Sequence, residues 1–102
     1  MPAYVISEAD IVDHAAAERY RTLAAESIAR HGGRYVVRGA EPFVPEGKWT
    51  ESARVVVVEF ASMAQAREWY DSDEYAEALA IRRTALDRRL LFVEGVEEPG
   101  IG

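Results

Sequence analysis

A chain of 102 residues holds one core and leaves no room for a second. Its composition, 49% hydrophobic and 29% charged, is globular, and no run approaches the roughly 20 apolar residues that cross a bilayer. A net charge of -6 opposes nonspecific attraction to nucleic-acid phosphates, and the zero cysteine count excludes disulfides, thiolate nucleophiles and zinc-thiolate sites.

The opening MPAYVISEAD lacks the basic start and apolar stretch of a secretory signal, so a cytoplasmic protein is expected. Ala3 to Ile6 is a short run of strand formers, stopped by the polar Ser7 and Glu8. Asp13 is placed to cap a helix of about residues 13–31, whose positions Tyr20, Leu23, Ala24, Ser27 and Ile28 recur at three- and four-residue steps. Gly32 and Gly33 end it. A second strand is expected over Arg34 to Arg38, terminated by the polar, proline-containing loop Ala40 to Ser52. Arg54 to Phe60 reads as a third strand, and Ser62-Met63-Ala64-Gln65 fits a capping box that opens a helix. Asp71-Ser72-Asp73 predicts a break and a fresh cap before a second helical piece carrying Tyr75, Leu79, Arg82 and Leu86 on one stripe. Leu90 to Val96 is the expected fourth strand, and 97–102 a mobile tail.

The order βαββαβ predicts an α+β, ferredoxin-like protomer in a single domain over 1–102. Its four-stranded antiparallel sheet should carry both helices on one face. A sheet with one wet face alternates apolar and polar residues, yet Val55 to Val58 and Leu90 to Val93 are apolar on both faces. A second copy of the chain is therefore expected to cover the bare side, giving a homodimer packed sheet against sheet.

Two charges interrupt these runs. Strand alternation puts Arg38 on the face of Val36, and Glu59 on that of Val57 and Val55. If Val56, Val58 and Phe60 lie under the helices, Glu59 points to the uncovered side, and Arg38 is expected to reach the same space. The pair then has two readings. It is a structural ion pair fixing register, or it lines a ligand cavity in which Arg38 holds an anionic group and Glu59 acts as base or acceptor. Simple exposure near the strand ends is the third.

Other residues carry less chemistry. His14 and His31 sit about 25 Å apart at opposite ends of one helix, too far to share a metal within one chain. No serine has a glycine-flanked nucleophile elbow, and the seven glycines form no phosphate loop. Trp69, Tyr70 and Tyr75 read as core and interface aromatics. Arg82-Arg83 and Arg88-Arg89, with Glu74, Glu77 and Asp87 nearby, read as solvated mixed surface.

The segments HGGRYVVRG, EGKW, VVVVEFAS, REWYDSDEYAEALAIRR and VEG together resemble, in order and spacing, the domain-of-unknown-function 1330 family of the dimeric α-β barrel superfamily, from Tyr4 to Gly95. The resemblance implies a ferredoxin-like protomer, a dimer and a small cavity between sheet and helices. By matching position, its characteristic residues here are Asp13, Tyr20, Gly33, Arg38, Gly47, Trp49, Glu59, Phe60, Trp69, Tyr70, Tyr75, Arg82 and Gly95. Ala17 departs from a frequent tyrosine and Ala40 from a second glycine. The wider superfamily includes cofactor-independent monooxygenases, lactone isomerases and haem enzymes, so the fold licenses no single chemistry.

The expectation is a dimeric protein that binds a small organic anion and in one version transforms it. Arg38 and Glu59 are the candidate catalytic groups. Trp69, Tyr70, Tyr75 and Arg82, with Trp49 from the loop, are the candidate ligand contacts. No metal or organic cofactor is expected, which leaves acid-base or substrate-assisted chemistry. The competing expectation is a non-enzymatic assembly or ligand-sensing module.

Overall fold

A computed structural model of the chain describes residues 1–49 and 52–96. Its elements run β1 (Ala3–Ile11), α1 (His14–Arg30), β2 (Arg34–Ala40), β3 (Arg54–Phe60), α2 (Met63–Tyr70), α3 (Asp73–Ala85) and β4 (Leu86–Glu94). The four strands form one antiparallel sheet in the order β2-β3-β1-β4, as a ferredoxin-like protomer requires. The expected tail, 97–102, lies outside the described residues.

Each helix begins where a short polar side chain replaces a missing intrahelical partner. Asp13 accepts from the Ala16 amide at 3.1 Å, Ser62 from that of Gln65 at 3.1 Å, and Ser72 from that of Tyr75 at 3.2 Å. The Ser72 cap splits the second helical segment into α2 and α3, so three helices cover the sheet. Gly32, at φ 77°, takes the left-handed turn after α1, and Gly33 lets the chain pass close to the core. A Cβ at Gly33 would stand 2.7 Å from the Phe60 ring.

β2 runs past its expected end to Ala40, and two other strands run further beyond their expected bounds. β1 continues through Ser7 to Ile11, and β4 starts at Leu86, directly from α3 with no intervening loop. The two extensions pair with each other, Ile11 opposite Leu86 and Ala9 opposite Arg88, and the Val12 amide donates to the Ala85 carbonyl at 2.8 Å. Neither half has the composition of an isolated strand. Mutual pairing supplies what propensity lacks.

Val5, Val58 and Phe60 point toward the helices and meet Ile28, Ala66, Trp69 and Tyr75 in the core. Phe60 and Trp69 pack with ring centres 5.6 Å apart, and the indole N–H donates to the Ser27 hydroxyl at 3.0 Å, so burial leaves it paired. Tyr4, Ile6, Val37, Val55, Val57, Leu91 and Val93 alternate onto the other face, where Leu91 and Val93 remain 40% and 39% exposed. The molecule is 15 Å through its shortest axis, one sheet and one helical layer. No helix among the described residues is long and apolar enough to cross a membrane.

Candidate functional site

On its helix side β1 presents Val5, Ser7, Ala9 and Ile11, and α1 places Ala24 above them. Small side chains at the centre of this layer leave a cavity of about 540 Å³ between α1 and the sheet. Val56 and Val58 of β3, Leu86 and Leu90 of β4, Ile28 and Trp69 complete mainly apolar walls. The polar groups are Ser7, Tyr20, Tyr35 and four arginines, Arg21, Arg38, Arg54 and Arg88. No carboxylate or imidazole among the described residues lines it.

Arg88 is the best defined of these cations. One terminal nitrogen donates to the Tyr20 hydroxyl at 2.6 Å and the other to the Tyr75 hydroxyl at 3.1 Å, and the two phenol oxygens lie 2.8 Å apart. Burial opposes the guanidinium charge, and the two phenols more than offset it, holding the group firmly protonated. It has no carboxylate partner among the described residues. Burial, followed by the neighbouring Tyr20, pushes the Tyr75 hydroxyl far above the ordinary phenol range, so it stays protonated. Tyr75 is fully buried, and its proton has the Tyr20 oxygen as its one acceptor among the described residues. Either phenol can donate in the Tyr20–Tyr75 bond; with Tyr75 donating, the Tyr20 proton is available to a group in the cavity.

At the other side of the cavity the Arg38 guanidinium lies 4.2 Å over the Tyr35 ring. Desolvation raises the Tyr35 pKa against the opposing effect of Arg38. A register shift between Tyr35 and Val37 brings Arg38 here. The extra residue reverses the alternation, so Arg38 sits opposite Val56 on the helix side instead of sharing a face with Val36.

Glu59 lies on the opposite face. It pairs with Arg34, whose Nε donates to it at 2.8 Å, and accepts from the Tyr4 hydroxyl at 2.8 Å. The Tyr4 hydroxyl first, then Arg34, holds its carboxyl below the usual range. The expected Arg38–Glu59 pair is thus not formed, whether as a structural bridge or as a joint site, because the bulge separates the two across the sheet.

Among the other expected contacts, Trp69 lines the cavity and Tyr75 reaches it through Tyr20 and Arg88. Tyr70 packs between Trp69, Tyr75 and Phe92 in the core. Arg82 on α3 is not among the cavity walls, and its buried Nε has no hydrogen-bond partner among the described residues. Trp49 lines a second depression of about 380 Å³ with Glu8, Asp10, Lys48 and Asp87, and Arg88 borders both it and the cavity. Sequence reasoning missed Arg88, grouped with Arg89 as solvated surface. The signal was the alternation Leu86, Arg88, Leu90, Phe92, which emerges only when β4 begins four residues early. No group of three or more residues able to ligate a metal occurs among the described residues.

A protein of unknown function from Rhodopseudomonas palustris superimposes with a TM-score of 0.78 at 21% identity, covering 95% of this chain and 84% of its own. The cofactor-independent oxygenase SnoaB from Streptomyces nogalater gives 0.68 at 11% identity, covering 95% of each chain. A dimeric ferredoxin-like protein of unknown function from Thermobifida fusca gives 0.64 at 18%, covering 91% of this chain and 90% of its own. At these identities the likeness is one of fold. No curated protein matches the sequence. Residues 2–96 match the family described as Domain of unknown function (DUF1330), and the chain belongs to that family.

Proposed function

We propose that the protein is a homodimer that binds a small organic anion in the cavity of each protomer. The observation that carries the ligand reading is Arg88, a half-buried guanidinium held by two phenols, without a counter-ion among the described residues, at the wall of an apolar cavity. The phenols satisfy its hydrogen bonds but bring no negative charge, so the cavity favours an acidic guest. With Tyr75 donating to it, the Tyr20 hydroxyl is left to donate to that guest, and the apolar walls suit its carbon skeleton. A lining without carboxylate or imidazole also favours binding an acid already ionised over abstracting a proton from a neutral one. The open face supports the dimer: Ile6, Val55, Val57, Leu91 and Val93 form a contiguous apolar surface, and the Thermobifida fusca protein of the same fold is described as dimeric.

The test is thermal unfolding against a panel of aliphatic and aromatic acids beside their neutral amides. An acid at 100 times its dissociation constant is expected to add about 2.7 kcal/mol of stability, and its amide much less. The Tyr20→Phe protein should lose most of that gain. Amides that stabilise as well as their acids would show that charge is not what the cavity selects.

A further inference from the structure

The two faces of the sheet treat their arginines differently. On the open face Arg34 pairs with Glu59 and Arg89 with Glu8, whereas of the four arginines lining the cavity Arg21, Arg38 and Arg88 have no carboxylate partner among the described residues and Arg54 donates to the Ser52 and Ala53 carbonyls. This occurs in a chain with 18 acidic and 12 basic residues, where counter-ions are plentiful. The uncompensated cations are also spread apart. Arg38 lies opposite Val56, Val56 opposite Ser7 and Ser7 opposite Leu90, while Arg88 sits two residues before Leu90 on the same face. β2 and β4 are the outer strands, so the two arginine positions are separated by three strand spacings, roughly 14 Å between backbones.

Both side chains line the cavity and each is held by aromatic groups. Arg38 lies on Tyr35 at 4.2 Å, and Arg88 is hydrogen-bonded to Tyr20 and Tyr75. The walls between them are apolar, Val5, Val56, Val58, Ala24 and Leu90, with Ser7 as the polar exception. We infer that the natural ligand is two-ended, an organic diacid with one anionic group at Arg88 and Tyr20 and the other at Arg38, joined by an apolar spacer such as one ring or a short alkyl chain. The inference rests on reading the cavity as an anion site and adds the second charge. The Arg38 end is the entrance, because Arg38 and Gly39 are exposed and nothing lies within 4 Å of where a Gly39 Cβ would be. A monoacid satisfies Arg88 and leaves Arg38 in water.

Isothermal titration of the full chain with terephthalate and with hexanedioate, each beside its monomethyl ester, separates the two claims. Each diacid is expected to bind about fivefold tighter than its ester at low salt, the upper range for a partly exposed ion pair, with the advantage shrinking as salt rises. In the Arg38→Gln protein the ratio of diacid to ester affinity should fall below about twofold. Equal affinities in the wild-type protein, or an advantage that survives Arg38→Gln, would overturn the diacid while leaving the anion site standing. Failure of diacid and ester alike to bind would remove both.

Discussion

The two faces of the sheet carry polar clusters made from similar side chains with opposite charge balance. On the open face, Arg34 and the Tyr4 hydroxyl both donate to Glu59, so a cation meets an anion and the cluster is closed. On the covered face, Arg88 meets Tyr20 and Tyr75, so the hydrogen bonds are made while the positive charge stays uncompensated. The lesson concerns charge, not hydrogen-bond count. A satisfied and neutral cluster needs nothing further, whereas a satisfied but charged cluster beside a cavity favours an anion.

The largest expected effect is on the open face. Val57→Asp puts a carboxylate among Ile6, Val55, Leu91 and Val93, where enclosure without a partner costs several kcal/mol. Sedimentation at micromolar concentration should show a dimer for the wild-type protein and a monomer for the variant. A monomeric wild-type protein would refute the shared face.

A smaller effect is expected where the covered face is tightest. Gly33→Ala drives a methyl group against Phe60 and Ile28 and should reduce stability in urea by about 1–3 kcal/mol. An unchanged midpoint would show that the close approach relaxes freely.

Arg88→Met tests the charge imbalance itself. It removes a half-buried cation and its two hydrogen bonds but leaves the Tyr20–Tyr75 bond, so the ligand-free protein should lose no more than about 1–2 kcal/mol. Stabilisation by organic acids should disappear. A loss of several kcal/mol without ligand would make Arg88 a structural group.

The smallest effect belongs to the closed cluster. Glu59 has a folded pKa depressed below its ordinary 4.5 by the Tyr4 hydroxyl and Arg34, so its contribution is present above pH 4.5 and is lost as pH falls through the depressed value. Thermal midpoints of the wild-type and Glu59→Gln proteins should therefore differ by a constant amount from pH 7 to about pH 5 and converge on further acidification. A difference that grows with acid would contradict the assignment.

Much of the fold was legible in residues whose local chemistry and tertiary role agree. β3 spans Arg54–Phe60 as its β-branched run predicts, and Asp13, Ser62 and Ser72 begin or divide helices where short polar side chains stand before helical sequence. The first half of β4 was not legible, because Asp87, Arg88 and Arg89 are polar and hold strand geometry by pairing with the equally polar end of β1. The site was less visible than the fold for the same reason. Arg38 and Trp69 reach the cavity, but Glu59, Tyr70, Arg82 and Trp49 do not line it, and Arg88 was hidden in a charged pair.

The order of the elements, the caps that bound the helices and the apolar reverse of the sheet follow from the sequence alone, since each depends on side-chain chemistry over a few neighbouring residues. Which residues share the cavity was decided by tertiary structure. Strand side chains alternate with period two, so the one-residue bulge after Tyr35 turns Arg38 from one face to the other, and that bulge is defined only by hydrogen bonding to β3.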